Sequence, residues 1–451
     1  MESKNKKLKK NQEKDEREIP DLDRLSSLPD SILAHVLSFL DTRSAIKTSI
    51  LSKRYQHLWT LSPCLDFSFS DYQTDRYESY DGRAFSPVKN SSLASFESSV
   101  NRVLRLREHS NLVKFRLSLH KDVGSSFLDN CIRYAADHKV QHLRIRGFVK
   151  QNPVALPKSL LDSSSLVSLH LHNATSNSIE MPKSATLPNL KLLRLKNFEF
   201  CDRNFNGEFF LGCPNLETLV LGKCSIRPGN KLRVLDVNCL NLKNLEIRYW
   251  RSPWKCFDEH VINVRAPKLL LFLFQGHLAR VSFDCGLPCV KEACVDLSFP
   301  TACFMANTGD RKRKTSDGLI GMLRQMCNVS LLSLSSRTLE VMAEPPDLQG
   351  RAPIIFENLR LIRFTASARN KYVEVKMSVD TVKWLLAMVA DDVLIFDLSK
   401  EKKPLPESSK AKKKESRNIA VAAHVIHFLL ESSPSLELFG VEIPKESSGQ
   451  E

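Results

Sequence analysis

No stretch of this sequence approaches the roughly 18 consecutive apolar residues that a membrane-crossing helix needs. Charges interrupt its longest apolar runs, and its lysine-rich start lacks the apolar segment of a secretory signal. The chain is therefore expected in the nucleus or cytoplasm, with no membrane partner. No Cys-x-x-Cys pair occurs, and the 12 cysteines lie singly. That pattern argues against a disulfide framework and for buried free thiols in a reducing compartment. Cys285, Cys289 and Cys294 come nearest to a cluster, but their spacing fits no common zinc pattern and the histidines are remote. Also missing are Gly-x-Ser-x-Gly, Gly-x-x-x-x-Gly-Lys, His-Glu-x-x-His and a Gly-x-Gly-x-x-Gly set between strand and helix. No catalytic residue, metal or cofactor is expected.

What is present is a chain of 451 residues, 42% hydrophobic, with a formal net charge of +15. It is long enough for a small module and a larger one, and basic enough to favour an acidic partner. Residues 1–20 carry charge without apolar periodicity and are expected to be disordered; Lys4, Lys6, Lys7, Lys9 and Lys10 read as a nuclear-localisation patch or as a solvated tail. Residues 22–65 read as three short helices. Pro29 suits a first turn, Ile32, Leu33, Val36, Leu37 and Leu40 make a broad apolar stripe, and Asp41 or Thr42 caps the second helix. So small and apolar a unit must be covered either by the rest of the chain, as a helical cap, or by a partner. A polar linker is expected over 70–95.

Beyond it, over 96–445, a repeat begins. Leu112-x-x-Phe115-x-Leu117 is followed by Val140-x-x-Leu143-x-Ile145, Leu166-x-x-Leu169-x-Leu171, Leu190-x-x-Leu193-x-Leu195 and Leu216-x-x-Leu219-x-Leu221. Starts about 24 to 28 residues apart fall within the leucine-rich-repeat range. Further copies begin at Leu232, Leu242, Leu269, Val290, Val329, Leu359 and Leu436, the first two too close together for regular turns. Each copy is a short strand with its second and third apolar residues inward, and stacked turns give a curved, horseshoe-like parallel sheet of α/β class. Pro188-Asn189 and Pro214-Asn215 suit the bend that feeds a strand. The usual asparagine ladder after the strand is incomplete: Cys224 stands at the expected place, while Asn173 and Asn197 come one residue early. Solvated insertions are expected near 306–316, with Arg311 to Lys314, and over 400–417. Helices are expected around Trp384 to Val389 and Val425 to Leu430.

The run Leu28-Pro29-Asp30-Ser31-Ile32-Leu33, then Val36 to Leu40, Ser49-Ile50-Leu51-Ser52-Lys53-Arg54 and Leu58-Trp59, closely resembles an F-box, and Cys64 to Ser68 resembles the segment just after the box in plant F-box proteins with leucine-rich repeats. The tail has no clear match to the FBD module that ends many of them. The resemblance implies a three-helix F-box module followed by a leucine-rich-repeat solenoid. It further implies a non-catalytic subunit of a ubiquitin ligase, in which the F-box binds a Skp-type adaptor, and through it a cullin, while the repeats hold the target. Carried over, Leu28, Pro29, Ile32, Leu33, Leu37, Leu51 and Trp59 face the adaptor, although packing within the three helices would also occupy several of them.

Counted by alternation, the outward residues of the first strands are Lys114, Arg116, Ser118; His142, Arg144, Arg146; Ser168, His170, His172; and Leu192, Arg194, Lys196. Later strands offer Val220, Glu246, Leu273 and Asp296, so the basic character fades along the sheet. The column suits an acidic or phosphorylated target segment, because guanidinium groups pair with carboxylate and phosphate oxygens; a solvated basic face is the alternative. A scaffold for nucleic acid, or for a polyphosphate or other small ligand, would also use this charge, but the column lacks the interleaved aromatics of a single-strand platform.

Overall fold

In the computed structural model, described residues run from 25 to 444 with short gaps, chiefly 73–90, 252–259, 298–308, 344–353, 366–371, 380–392 and 398–417. The amino-terminal tail, the 400–417 insertion and the helix expected near Trp384 lie outside them.

Three short helices come first: α1 (Asp30–Leu37), α2 (Thr42–Lys47) and α3 (Tyr55–Leu58). Pro29 is the N-cap of α1, and Asp41 caps α2 by accepting from the Ser44 N–H at 2.8 Å. Burial pushes the Asp41 carboxyl up, but the hydrogen bonds from Ser44 and the nearby backbone outweigh it and leave the group below its ordinary value. Arg54 closes the triplet: its guanidinium pairs with Asp30 at 2.6 Å and donates to the Leu28 carbonyl, joining the approach to α3 with the start of α1.

A 3-10 turn, Trp59–Leu61, follows α3, and only Ser62 and Pro63 separate it from β1 (Cys64–Ser68), which pairs in parallel with β2 (Lys114–Ser118). The repeat sheet thus starts at Cys64, ahead of the boundary expected at 96, because Leu65 and Phe67 alternate inward like every later rung. Helix α4 (Ser91–Leu106) likewise begins inside the stretch expected as linker. The main sheet continues through β3 (His142–Gly147), β5 (Ser168–Asn173), β7 (Leu192–Lys196), β9 (Thr218–Gly222), β12 (Asn244–Trp250), β14 (Leu271–Gly276), β16 (Glu292–Leu297), β17 (Leu331–Ser335), β18 (Leu361–Thr365), β22 (Leu438–Pro444) and β19 (Tyr372–Ser378). All of its 13 strands pair in parallel except β22 with β19. Short strands between the rungs pair among themselves: β4 (Val154–Ala155) with β6 (Ile179–Glu180), and β8 (Glu199–Phe200) with β10 (Ser225–Ile226). Near the end of the chain β20 (Val393–Asp397) pairs antiparallel with β21 (Asn418–Ala422).

In the main-sheet rungs from β1 to β18 the second and third apolar residues, such as Leu143 and Ile145 or Leu219 and Leu221, are buried. Burying one such leucine contributes about 1.5–3 kcal/mol. The returning segments change character along the chain. Helices α4 and α5 (Ser125–Asp137) cover the first rungs, where Phe69, Phe96 and Phe127 pack edge to face with centroids 5.4 and 6.2 Å apart. Single turns α6 (Lys158–Leu161) and α7 (Glu208–Leu211) follow, then a separate parallel sheet of β11 (Val234–Asn238), β13 (Val261–Arg265) and β15 (Arg280–Phe283).

The copy beginning at Leu232 is therefore no rung of the main sheet. Leu235 and Val237 are buried in a returning strand, which alternates with the same period as a rung and so carries the same signature. A second correction concerns Arg311 to Lys314, expected in a solvated loop: they lie in helix α8 (Gly309–Leu323), whose later residues Leu319, Ile320, Met322 and Leu323 are buried. The helix expected around Val425 to Leu430 is α10 (Ala423–Glu431), preceded in the order of helices by α9 (Ser336–Ala343).

After the strands Asn197 donates to the Asn173 carbonyl at 3.1 Å, and a longer asparagine ladder lies ahead of the strands. Asn189 donates to the Ser164 carbonyl at 2.7 Å, Asn215 to Pro188 at 2.8 Å and Asn241 to Pro214 at 3.1 Å. Each links the bend feeding one strand to the bend of the preceding repeat.

The helical triplet is fastened to the sheet by polar contacts. The Asp66 N–H donates to the buried Thr42 hydroxyl at 2.7 Å. The buried Arg107 side chain donates to the carbonyls of Ser62 (3.1 Å) and Asn111 (3.3 Å). Arg107→Met leaves these carbonyls without their donor, so a loss of about 2–3 kcal/mol is expected. Urea denaturation measures it, and a change below about 1 kcal/mol would mean that water replaces the guanidinium.

Candidate functional site

Two surfaces carry the residues singled out above. The first is on the helical triplet, where α1 is apolar on two sides. Leu33, Ala34 and Leu37 point inward and are buried, while Ile32, Val36, Phe39 and Leu40 point out. With 3.6 residues per turn, positions 32 and 36 form one stripe and 33 and 37 its neighbour, while Phe39 and Leu40 follow in the turn just after the helix. The short 3-10 turn Thr48–Ile50 after α2 adds Ile50, 88% exposed, and next to it stands Leu51, 68% exposed. Phe39, 76% exposed, touches only the edge of the His35 ring among the ring contacts described, centroids 5.0 Å apart.

Of the residues expected to face an adaptor, Pro29, Ile32 and Leu51 are exposed and Leu28 is half-buried. Leu33, Leu37 and Trp59 are buried within the protein and are reassigned to packing. Trp59 turns in because its indole N–H finds a partner there, the Gln56 carbonyl at 3.1 Å. Sequence reasoning did not place Phe39 and Ile50 on this face; their hydrophobicity next to Leu40 and Leu51 was the available signal.

The second surface is the sheet face turned away from the core. Parallel register sets Asp66, Arg116, Arg144, His170, Arg194 and Val220 in one row. Arg146, His172, Lys196 and Gly222 form the row beside it, toward the strand C-termini. Lys114 and His142 begin a third, where the His142 ring is 2.9 Å from the Ser168 hydroxyl. All eight residues expected to bind a target thus share one face. Arg116, however, is already paired with Asp66 at 2.8 Å. Val220 is buried, so the face closes beyond β7 in this row.

Burial, then Arg194, Arg144, Arg116 and His142, push His170 down to about 4. Burial, then Lys196, Arg146, Lys223 and Arg144, do the same to His172, also to about 4. Unfolded histidine titrates near ~6.5, so between those values the unfolded chain binds more protons than the folded one. The stability held by these neutral rings is complete above pH ~6.5 and is lost as pH falls toward 4. The urea midpoint should therefore drop between about pH 7 and pH 5. The drop should shrink in a His170→Asn, His172→Asn double variant, and an equal drop in both proteins would refute the assignment. Elsewhere, burial pushes the thiols of Cys131, Cys213 and Cys224 up to about 12, so they stay protonated.

The family model described as FBD-associated F-box protein At5g56370, LRR repeats, matches residues 128–287, and the F-box domain model matches residues 25–66. Among curated proteins of Arabidopsis thaliana, the F-box/LRR-repeat protein At4g15060 is 30% identical over 309 residues, covering 65% of this chain and 67% of that protein. The F-box/FBD/LRR-repeat protein At2g26030 is 30% identical over 328 residues, covering 71% and 68%. A third, the F-box/FBD/LRR-repeat protein At5g56420, is 27% identical over 316 residues, covering 70% and 66%. The chain spans about two thirds of the length of these relatives.

Proposed function

Since the chain belongs to the plant F-box/LRR-repeat family, we infer that it is the target-recognition subunit of a cullin-based ubiquitin ligase of the Skp–cullin–F-box type. The helical triplet docks on a Skp-type adaptor, the adaptor joins a cullin, and the repeats hold the protein to be ubiquitinated. The chain itself supplies no nucleophile or base. It raises the effective concentration of a target lysine near a ubiquitin-charged enzyme, which is sufficient to promote transfer. Work in the nucleus or cytoplasm fits the free cysteines.

The observation that carries this reading is the apolar face of Ile32, Val36, Phe39, Leu40, Ile50 and Leu51, left uncovered on a module of some 40 residues. Large apolar side chains left in solvent in this number on so small a module mark an interaction surface. The test is size-exclusion co-elution of the full chain with a recombinant Skp-type subunit at micromolar concentrations. A stable complex supports the assignment; separate elution refutes it. A nucleic-acid scaffold would instead show tight oligonucleotide binding with a steep salt slope.

A further inference from the structure

The basic face holds a cluster whose charge the described part of the protein leaves uncompensated. Several other cations of the solenoid do find carboxylates: Arg116 on the same face meets Asp66 at 2.8 Å, and farther along Lys243 meets Glu217 at 2.8 Å and Arg248 meets Glu246 at 2.7 Å. Among the described residues, no carboxylate pairs with Arg144, Arg146, Arg194 or Lys196. The Nε of Arg146 is buried without a hydrogen-bond partner. Lys223 adds a further cation from a left-handed backbone conformation (φ 54°), close enough to act electrostatically on Lys196. Beside Lys196 the ladder partner is Gly222, which has no side chain to fill the space.

The arrangement is a grid set by the sheet. Arg144 and Arg146 stand on β3, His170 and His172 on β5, and Arg194 and Lys196 on β7, with partners in register. Neighbouring strands are about 4.8 Å apart, so the two cationic columns face each other across about 10 Å, with the imidazole column between. Long flexible side chains leaning inward across that gap bring donors to a single tetrahedral anion from both sides. A carboxylate offers one charge and two oxygens in one plane, which a single arginine satisfies. A phosphoryl group carries nearly two charges and three acceptor oxygens, and so engages both columns at once.

We propose that this grid binds a phosphoryl group on the target protein, held by Arg144 and Arg146 on one side and by Arg194 and Lys196 on the other, with His170 and His172 beneath it. The inference rests on the reading that the repeats hold the target, and it names the class of target: one recognised after phosphorylation of a side chain.

The probes are two degenerate fluorescent peptide pools, identical except for phosphoserine or glutamate at the central position, titrated into the full-length chain. The phosphoserine pool is expected to bind at least about tenfold more tightly, and Arg144→Ala with Arg194→Ala to erase that difference. Arg194→Lys keeps the charge but not the paired bonds and should fall between. Arg248→Ala, already paired with Glu246 and beyond the grid, should leave binding as it was. An unchanged thermal midpoint shows that each variant is folded. Equal affinity for the two pools overturns the proposal, as does a double variant that is folded yet unimpaired. Binding of sodium pyrophosphate or of a single-stranded oligonucleotide, with no phosphopeptide bound, also overturns it. Because the pools meet the chain alone, their result and the adaptor co-elution are read independently.

Discussion

Ile50→Asp combined with Leu51→Asp is expected to abolish capture of a Skp-type subunit while leaving the thermal midpoint unchanged. Both side chains stand in solvent in the free chain, 88% and 68% exposed, so a carboxylate at either place disturbs no packing. In a complex the same positions would be covered. Each change then removes about 1.5–3 kcal/mol of apolar burial and adds the desolvation of a charge. Together they exceed the ~2.7 kcal/mol that separates a hundredfold change in affinity. The measurement is calorimetric titration of the adaptor, with a melting curve on each variant. Leu33→Asp would also end binding, but by unfolding the triplet, because Leu33 is buried beneath the face. Full binding by the Ile50, Leu51 double variant would remove this face from the interface.

Gly276→Ala is expected to destabilise the solenoid by about 3–5 kcal/mol. At the end of β14 the ladder to β12 shifts register between Ile247 and Trp250, and Tyr249 takes a left-handed conformation (φ 53°) to allow it. Gly276 itself lies at φ 134°, and a β-carbon there would meet the Trp250 nitrogen at 2.3 Å and its oxygen at 2.6 Å. Those are backbone atoms and cannot swing aside. Trp250 is buried near Phe200, ring centroids 6.3 Å apart, so any shift spreads into the core. Gly286→Ala is the control. Its φ of 61° is also left-handed, but nothing lies within 4 Å of the new atom. It should cost only about 1 kcal/mol. Urea midpoints of the two variants should differ accordingly; similar values would mean that β12 slides to make room.

How far the architecture was legible depended on period. Rungs such as Leu193 and Leu195 announce themselves through alternation at a repeat of about 26 residues, and register follows directly from it. The same alternation hid β11, since a returning strand buries Leu235 and Val237 just as a rung would. Arg311 to Lys314 concealed the start of a helix because its apolar residues, Leu319, Ile320, Met322 and Leu323, come only in its later turns. On the helical triplet the difficulty was of another kind. A short helix that is apolar on two sides shows that something must cover it, but Leu33 and Ile32 look alike in sequence. Which stripe packs inside is settled by α3 and the Arg54 bridge, contacts 20 or more residues away. The basic column was legible residue by residue; that Asp66 removes Arg116 from it required knowing that β1 lies alongside β2.

The passage from the last helical turn into β1 takes two residues, and β1 is itself a strand of the sheet. With Thr42 bonded to Asp66 and Arg107 gripping Ser62, there is no tether on which one end could swing about the other. A protein seated on the strands would therefore be presented at a fixed bearing and range. In a ligase of the proposed kind, the choice among its lysines would fall to whichever one the docked pose happens to aim at the incoming ubiquitin, not to a random search.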